Sequence, residues 1–271
     1  VGFAGVFRVD SVRMEAGLHV GFSDDGLNWQ IEERPVTFER PDPDAPDPNF
    51  DGRFQYDPRI VPLDGVYYVT WCHYADAPQG GQAPAIGLAQ TQDFHRFELI
   101  DPNVAYLNRN GVLFPRKING RYAAFHRRWP NVCLAYSEDL VTWPEAWMQE
   151  VYGPRPENDW DSRSVGSNGT PIETPHGWLQ INHGYNDDHI YRFSVVLLDL
   201  EDPSKVIRRP KGFIFEPKEL WEIRGDVPNV VFSCANPVVD DTVYVFYAGG
   251  DHAIGLATCS LAELIDFARF G

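Results

Sequence analysis

One short pattern decides the fold of this chain, and it first occurs at residues 19–29, which read HVGFSDDGLNW. An apolar strand with small residues leads into a Ser/Thr-x-Asp turn, and an aromatic residue follows the turn. Clear copies recur at residues 86–97 (IGLAQTQDFHRF) and 133–143 (CLAYSEDLVTW), and weaker ones at 195–200 (VVLLDL) and 254–261 (IGLATCSL). Such self-similarity is typical of repeat architectures, in which each copy is one supersecondary unit.

The copies of this pattern follow alternating strands that begin after a turn, as at residues 66–71, 121–125, 178–181 and 243–247. Five units of roughly 50 to 60 residues have the size of propeller blades with their loops. We therefore predict an all-β fold, a five-bladed β-propeller with a short C-terminal helix near residues 261–270, in a single domain of residues 1–271. A two-sheet sandwich is the alternative, but it does not explain the repeated turn.

The charge balance limits the partners of the protein. Its 271 residues include 23 Lys and Arg against 39 Asp and Glu, which gives a net charge of −16. Nucleic acids and anionic membrane surfaces are bound through a surplus of Lys and Arg, so the composition argues against both. No apolar run approaches the roughly 20 residues that span a bilayer. The sequence therefore predicts a soluble, cytoplasmic protein.

The four cysteines, Cys72, Cys133, Cys234 and Cys259, lie far apart, and most of them sit in apolar runs. Without a CxxC spacing they are expected to be buried free thiols rather than metal ligands or disulfides. The chain opens directly on strand-like sequence at Phe3. From this we expect that a lead-in strand is missing at the N-terminus.

A carboxylate in a rigid setting is the first candidate for chemistry. Asp57 lies in the run Tyr56-Asp57-Pro58-Arg59, just before a predicted strand. Pro58 fixes its own φ and pushes Asp57 toward an extended conformation. A carboxylate held in this way can be a general acid, or it can be half of a structural ion pair with Arg59.

Basic side chains at strand ends are the second candidate group. Arg109 precedes one apolar strand, and Arg127 and His183 end two others. Guanidinium groups match phosphate bidentately, so the arginines indicate an anion site, unless they only pair with the many surface acids. His183 is either a ligand or a satisfied structural histidine. Asp251 follows a Gly-Gly pair, which indicates a tight turn or a close backbone approach.

Three of these segments resemble glycoside hydrolase family 130, the inverting mannoside phosphorylases and mannosidases with a five-bladed propeller. They are residues 56–59 (YDPR), 108–120 (NRNGVLFPRKING) and 225–232 (GDVPNVVF). The similarity extends from Phe3 to about Phe267, and it looks closest to the subfamily that phosphorolyses 4-O-β-mannosyl-glucose.

The resemblance implies a role for each candidate residue. Asp57 would be the general acid, which in some members protonates the leaving oxygen through the 3-hydroxyl of the mannose. Inorganic phosphate would attack the anomeric carbon from the opposite face and give α-mannose 1-phosphate and a free acceptor sugar. Arg109, Arg127 and His183 would bind phosphate as one positive pocket. The sugar-binding positions would be Arg8, Asp10, Tyr56, Arg59, Asn110, Tyr191, Asn229 and Asp251.

The partners implied by the resemblance are a small carbohydrate and inorganic phosphate as co-substrate. The resemblance implies neither a metal ion nor an organic cofactor, and it leaves a homo-oligomer open.

The chain departs from the family pattern in two places. Ser164 stands where the phosphorylases carry a phosphate-binding Lys, and Arg163 beside it would point the other way in an extended segment. The stretch after Arg127, residues 128–131, is short where relatives carry a longer loop near the acceptor site. The leading hypothesis is an inverting β-mannoside phosphorylase, because Arg109, Arg127 and His183 are retained. An inverting β-mannosidase and a non-catalytic carbohydrate-binding propeller are the alternatives.

Overall fold

The computed structural model describes residues 2–12, 15–40, 54–76, 80–106 and 108–271, with the backbone alone for 102–106. Its strands form five separate sheets in chain order, which are the blades of a propeller, so the predicted five-bladed all-β fold is confirmed. The first blade has the order β1-β2-β3, with β1 (Phe3–Asp10), β2 (Ala16–Ser23) and β3 (Gln30–Ile31). The second has the order β4-β8-β7-β6-β5, with β4 (Phe38–Glu39), β5 (Tyr56–Leu63), β6 (Val66–Asp76), β7 (Gln82–Thr91) and β8 (Phe97–Tyr106).

The remaining blades follow the same antiparallel plan. The third has the order β12-β11-β10-β9, with β9 (Arg109–Leu113), β10 (Tyr122–Arg128), β11 (Asn131–Ser137) and β12 (Gln149–Tyr152). The fourth has the order β13-β15-β16-β17 with β14 beside β15, from β13 (Ser164–Ser167), β14 (Ile172–Thr174), β15 (Gly177–Tyr185), β16 (Tyr191–Leu198) and β17 (Val206–Arg208). The fifth is built from β18 (Val231–Ala235), β19 (Val238–Val239), β20 (Thr242–Gly249) and β21 (Ala253–Ser260).

The repeated turn has the same hydrogen bonds in each clear copy. Ser137 Oγ accepts the backbone N–H of Leu140 at 2.9 Å, and Asp139 Oδ1 accepts those of Val141 at 2.9 Å and Thr142 at 2.7 Å. The other two clear copies, at residues 23–28 and 91–96, repeat this bonding. Side-chain oxygens that satisfy backbone donors stabilise turns of this kind, which explains why the sequence repeats Ser/Thr-x-Asp.

The hydrophobic core lies between neighbouring blades. The largest cluster fills the space between the second, third and fourth blades around Trp178, Phe114 and Phe125, all at most 1% exposed. A second cluster lies between the fourth and fifth blades, and a third between the first and second. Because each interface buries apolar side chains from both blades, the five sheets hold one another in place.

Two helices complete the described chain, α1 (Leu220–Ile223) and α2 (Leu261–Phe270), with a 3₁₀ turn at Glu145–Trp147. The predicted C-terminal helix is therefore confirmed. Its first turn is capped by Ser260, whose Oγ accepts the backbone N–H of Glu263 at 3.4 Å, and it buries Leu264 and Ala268 against the fourth and fifth blades. The fifth copy of the turn pattern is weak because its serine caps this helix instead of closing a turn.

The central channel is lined by one edge strand from each of blades two to five, namely β5, β9, β13 and β18. Strand β5 contacts β9, β18 and β1, and β9 contacts β13. In the first blade β1 pairs with β2 on one side, and a cavity of about 1100 Å³ runs along it from Gly2 to Asp10. That the sequence lacks a lead-in strand there stays a prediction.

Two further expectations concern the cysteines and the membrane. All four thiols are free, with Cys72 and Cys133 buried and Cys234 and Cys259 half-buried, so the expected free thiols are confirmed. Within the described ranges, no helix has the length and apolar character to cross a bilayer. The cytoplasmic location stays a prediction.

Candidate active site at the centre of the propeller

The geometry of β5 displays Asp57 at the centre of the molecule. The register of β5 against β6 shifts between Tyr56 and Arg59, and Asp57 has a φ of 54°. The extended conformation that the sequence predicts for Asp57 is therefore wrong, because the irregular register places this residue in the left-handed region. That conformation is uncommon outside glycine, although aspartate and asparagine tolerate it. A bulge of this kind re-aims a side chain next to an active site. The half-buried Asp57 lines the cavity beside β1.

Arg59 lies behind Asp57 and holds its backbone. The side chain is 1% exposed and donates hydrogen bonds to three carbonyls, those of Asp57 at 2.9 Å, Asn168 at 2.7 Å and Ser167 at 3.3 Å. The sequence also allowed an ion pair between the side chains of Asp57 and Arg59, and the structure does not show one. Because all three contacts go to backbone oxygens in the interior, the placement favours a positioning role for Arg59 over the predicted sugar contact.

A charged cluster from the first and fifth blades borders the same cavity. Arg8 donates to both carboxylate oxygens of Asp10, at 2.8 and 2.6 Å, and to Asp251 at 3.3 Å. The hydrogen bond that Arg8 donates to Asp10 raises the pKa of Arg8, and burial raises the pKa of Asp251 although Arg8 opposes this. Groups fixed by one another in this way offer donors and acceptors to the hydroxyls of a sugar.

Two arginines that have no carboxylate partner among the described residues lie near Asp57. Arg109 in β9 and Arg127 in β10 are directly paired across the sheet. In the described part of the chain neither forms an ion pair; Arg109 bonds only the Tyr74 hydroxyl, at 3.1 Å, and lies over the rings of Tyr56 and Tyr74. Burial lowers the pKa of Arg127, and the Arg109 charge lowers it further. Two adjacent half-buried cations without a counterion are the setting that an anion stabilises.

His183 completes this pocket as a neutral group. Its Nδ1 lies 2.8 Å from Asn168 Oδ1, an acceptor, so with this amide orientation Nδ1 carries the proton and Nε2 is left with a lone pair. Burial, and then the charges of Arg127 and Arg59, lower the pKa of His183 well below its usual value. The structure thus offers two guanidiniums and one hydrogen-bond acceptor here, and the phosphate contacts of Arg109, Arg127 and His183 stay a prediction.

Gly166 makes room for the polar atoms at the base of the pocket. It is paired with His183 across β13 and β15. A Cβ at this position would lie 2.5 Å from His183 Nε2 and 2.8 Å from Asn110 Oδ1. Both atoms are buried and have no hydrogen-bond partner among the described residues. Buried polar atoms without partners are costly, so they mark a place where a ligand supplies the missing bonds.

Gly166→Ala is expected to damage this pocket selectively. The added methyl must displace His183 or Asn110, so the KM for a bound anion should rise at least ~10-fold and the free energy of unfolding should fall by about 1–3 kcal/mol. Titration of the anion and chemical denaturation measure the two effects. Gly17→Ala is the control, since its nearest neighbour would be 3.5 Å away. Wild-type anion binding by Gly166→Ala would contradict this role.

The other predicted residues surround the same centre. The hydroxyl of Tyr56 is buried and has no hydrogen-bond partner among the described residues, and burial raises the pKa of this tyrosine. Tyr191 stacks on His183 with ring centroids 6.0 Å apart, and burial raises its pKa to about 12. The backbone N–H of Tyr191 bonds the carbonyl of Asn229 at 3.0 Å. Their predicted contacts with a sugar stay predictions.

The sequence reasoning missed the aromatic side chains that frame the site. Tyr74 bonds Arg109, Phe232 packs on His183 at 4.6 Å between ring centroids, and Tyr185 stacks on Tyr191 at 4.8 Å. A signal was present, because Tyr74 lies near the end of β6 and Tyr185 ends β15. It was weak, since aromatic residues at strand ends are common in this chain.

The position where the family carries a lysine holds no cation. Ser164 is 0% exposed and its Oγ lies 3.5 Å from the Pro130 carbonyl. Arg163 is exposed and pairs with Asp187 at 3.0 Å, so it points away from the pocket, as an alternating strand requires.

Comparisons with known proteins agree with this geometry. The model of a family described as beta-1,4-mannooligosaccharide phosphorylase matches residues 2–269, nearly the whole chain. The chain belongs to glycoside hydrolase family 130. The 1,2-beta-oligomannan phosphorylase of Thermoanaerobacter sp. (strain X514) is 40% identical over 89% of this chain and 78% of its own. The beta-1,4-mannooligosaccharide phosphorylase of Ruminococcus albus is 36% identical over 98% of this chain and 80% of its own length.

A solved structure of the family has the same fold. The beta-1,2-mannobiose phosphorylase of Listeria innocua, in complex with beta-1,2-mannobiose, superposes with a TM-score of 0.83 at 28% identity, over 94% of this chain and 70% of that one. The 4-O-beta-D-mannosyl-D-glucose phosphorylase of Bacteroides fragilis is 29% identical over 96% of this chain. The predicted membership of the family is thus confirmed. The chain is more similar in sequence to the two phosphorylases named above, at 40% and 36% identity, than to the mannosyl-glucose phosphorylase, at 29%.

Proposed function

We propose that this family 130 protein phosphorolyses β-mannosides with inversion, giving α-mannose 1-phosphate and a free acceptor sugar. One observation carries the proposal. Arg109 and Arg127 are paired across β9 and β10, neither has a carboxylate partner among the described residues, and they lie close enough to Asp57 and His183 for the charges to interact. A phosphate dianion supplies the missing charge and hydrogen-bond partners to these groups.

The chemistry needs one proton donor and one anionic nucleophile. Asp57, in its protonated form, gives a proton to the leaving oxygen as the bond between that oxygen and the anomeric carbon breaks. A phosphate oxygen forms the new bond on the opposite face, so the configuration changes from β to α. The proton on the hydrogen phosphate returns to Asp57 through solvent, and the balance is one mannoside plus one phosphate to one mannose 1-phosphate plus one alcohol.

The neutral state of His183 matters for this step. A protonated imidazole would only add charge, whereas the lone pair on Nε2 can accept a hydrogen bond from the P–OH of hydrogen phosphate. With the two guanidiniums binding its other oxygens, the phosphate has a fixed orientation in which one oxygen remains free to attack. Fixing the nucleophile in this way supplies part of the rate enhancement.

Hydrolysis is the second candidate, and one observation favours it. Ser164 takes the place of a lysine that binds phosphate in the family, and the neighbouring Arg163 does not replace it, because it pairs with Asp187 at the surface. With two cations instead of three, phosphate binding is weaker. The retained Arg109 and Arg127 are the reason to prefer phosphorolysis, since a water nucleophile needs a carboxylate base rather than guanidiniums. No metal ion or organic cofactor enters either mechanism as proposed.

One assay separates the two reactions. The protein is incubated with β-1,2-mannobiose, β-1,4-mannobiose or 4-O-β-mannosyl-glucose, with and without phosphate, and the products are followed by ³¹P and ¹H NMR. We expect α-mannose 1-phosphate from at least one substrate, only when phosphate is present. Free mannose formed at the same rate without phosphate would establish hydrolysis. Binding without any turnover would establish the non-catalytic alternative.

A further inference from the structure

The pocket of Arg109, Arg127 and His183 contains hydrogen-bond acceptors as well as cations. His183 Nε2 and Asn110 Oδ1 both approach Gly166, since a Cβ there would lie 2.5 and 2.8 Å from them. Their residues are at most 1% exposed, and neither atom has a hydrogen-bond partner among the described residues. Such acceptors need a hydrogen on the ligand, whereas the two guanidiniums need negative oxygens. An oxyanion that carries a hydroxyl hydrogen satisfies both kinds of group.

Asn168 determines which nitrogen of His183 is the acceptor. Its side-chain oxygen lies 2.8 Å from Nδ1, so with this amide orientation Nδ1 carries the proton and Nε2 keeps its lone pair. If the proton moved to Nε2, the lone pairs of Nδ1 and of the Asn168 oxygen would face each other. Burial, and then the charges of Arg127 and Arg59, hold the pKa of the imidazole well below its usual value, so the ring stays neutral.

The backbone of Asn168 is held on both sides. Its N–H donates to the carbonyl of Ile181 at 3.1 Å, and its carbonyl accepts Arg59 Nε at 2.7 Å. The residue is 0% exposed, so its side chain has little room to change its position. Arg59 also donates to the carbonyl of Asp57 at 2.9 Å. One guanidinium therefore connects the residue that bonds His183 with the residue that we propose as the acid.

We propose that Asn168 is a positioning residue that keeps His183 as an acceptor and thereby makes the pocket select hydrogen phosphate over sulfate. The inference rests on the proposed function, since it concerns the anion which that function consumes. Both anions are tetrahedral and carry two negative charges at mildly alkaline pH, so the arginines do not distinguish them. Only hydrogen phosphate offers a hydrogen to Nε2, whereas a sulfate oxygen would oppose its lone pair. A site built to bond a hydroxyl rejects an analogue that lacks it.

Two pairs of anions of similar size and equal charge test this selectivity, phosphate against sulfate and arsenate against selenate. Their Kd values for the wild type are measured by isothermal titration calorimetry at mildly alkaline pH, without mannoside. In each pair we expect the anion with a hydroxyl hydrogen to bind about 10- to 100-fold more tightly, the effect of not leaving a buried acceptor unsatisfied. Equal affinities within either pair would overturn the inference.

Asn168→Leu tests the positioning role. Leucine has the same branching at Cγ and keeps the backbone bonds, but it offers no acceptor to Nδ1 of His183. The proton is then expected on Nε2, where it can donate to either anion, so the Kd values for phosphate and sulfate should differ by less than about 3-fold. Asn158→Leu is the control, since Asn158 bonds only the Lys211 carbonyl, at 3.0 Å, and it should keep the wild-type selectivity. Wild-type selectivity in Asn168→Leu would overturn the positioning role.

The imidazole nitrogens report the tautomer directly, even if Asn168→Leu does not fold. In ¹⁵N NMR of the wild type, with His183 assigned through its ring contact with Phe232, we expect a protonated Nδ1 and an unprotonated Nε2. A protonated Nε2, as a reversed Asn168 amide would give, would overturn the inference. The proposed function fails separately, because no mannoside enters these measurements. A protein that selects hydrogen phosphate but releases no mannose 1-phosphate would overturn the function alone.

Discussion

Asp57→Asn is expected to reduce kcat by about 10²- to 10⁴-fold while the protein stays folded. The amide cannot give a proton to the leaving oxygen, so the glycosidic bond loses its acid. The backbone should tolerate the change, because asparagine adopts the left-handed conformation that Asp57 has at φ 54°. Arg59 still binds the carbonyl of this residue in the variant. Initial rates of mannose 1-phosphate release and a thermal melt measure the two properties.

Asp64→Asn is the matched control for this prediction. Asp64 has nearly the same backbone conformation, at φ 53°, but it lies exposed in the turn between β5 and β6. Wild-type activity in this variant would show that an amide at a left-handed position is harmless by itself. A kcat for Asp57→Asn within tenfold of wild type would rule out Asp57 as the acid.

Arg127→Gln should raise the KM for phosphate by about 10- to 100-fold, the effect of losing a charge-assisted hydrogen bond to an anion. The stability of the phosphate-free protein should remain the same or increase, because the variant no longer buries a cation without a carboxylate partner. The increase in thermal midpoint that phosphate gives the wild type should shrink accordingly. The KM for the mannoside should change less than the KM for phosphate.

Arg163→Gln is the control here, because Arg163 is also basic and close in sequence to the Ser164 position but pairs with Asp187 on the surface. Its phosphate KM should equal that of the wild type. If Arg127→Gln kept the wild-type phosphate KM and the phosphate-dependent thermal shift, phosphate would bind elsewhere. The combined measurement separates loss of the anion site from general damage, which would lower the thermal midpoint without phosphate.

The repeated turn made the fold predictable from sequence. Each clear copy uses local hydrogen bonds, such as those that Ser137 and Asp139 accept from the backbone N–H groups of the next three residues, so the signal lies within a few positions of the chain. Local hydrogen bonding of this kind can be predicted from the sequence without knowledge of the tertiary structure. The weak copies are also explained locally, since Ser260 caps a helix in the last one.

The site was predictable only in part. Asp57, Arg109, Arg127 and His183 were identified as residues at strand ends, and the propeller brings these strand ends together. The protonation state of His183 was not predictable, because it depends on Asn168 and on burial between blades. The contacts of Arg59 were not predictable for a similar reason. Its partners Ser167 and Asn168 lie more than a hundred positions away in sequence.

The sequence by itself determined the number of blades, the C-terminal helix and the family, since each of these follows from local patterns or from short motifs. Its net charge of −16 says little about the site, because charge summed over the chain carries no position. Only the tertiary structure decided which arginines lack a carboxylate partner, which histidine is neutral and which asparagine bonds it. These properties depend on burial and on contacts between distant segments, and packing five sheets around one axis creates both.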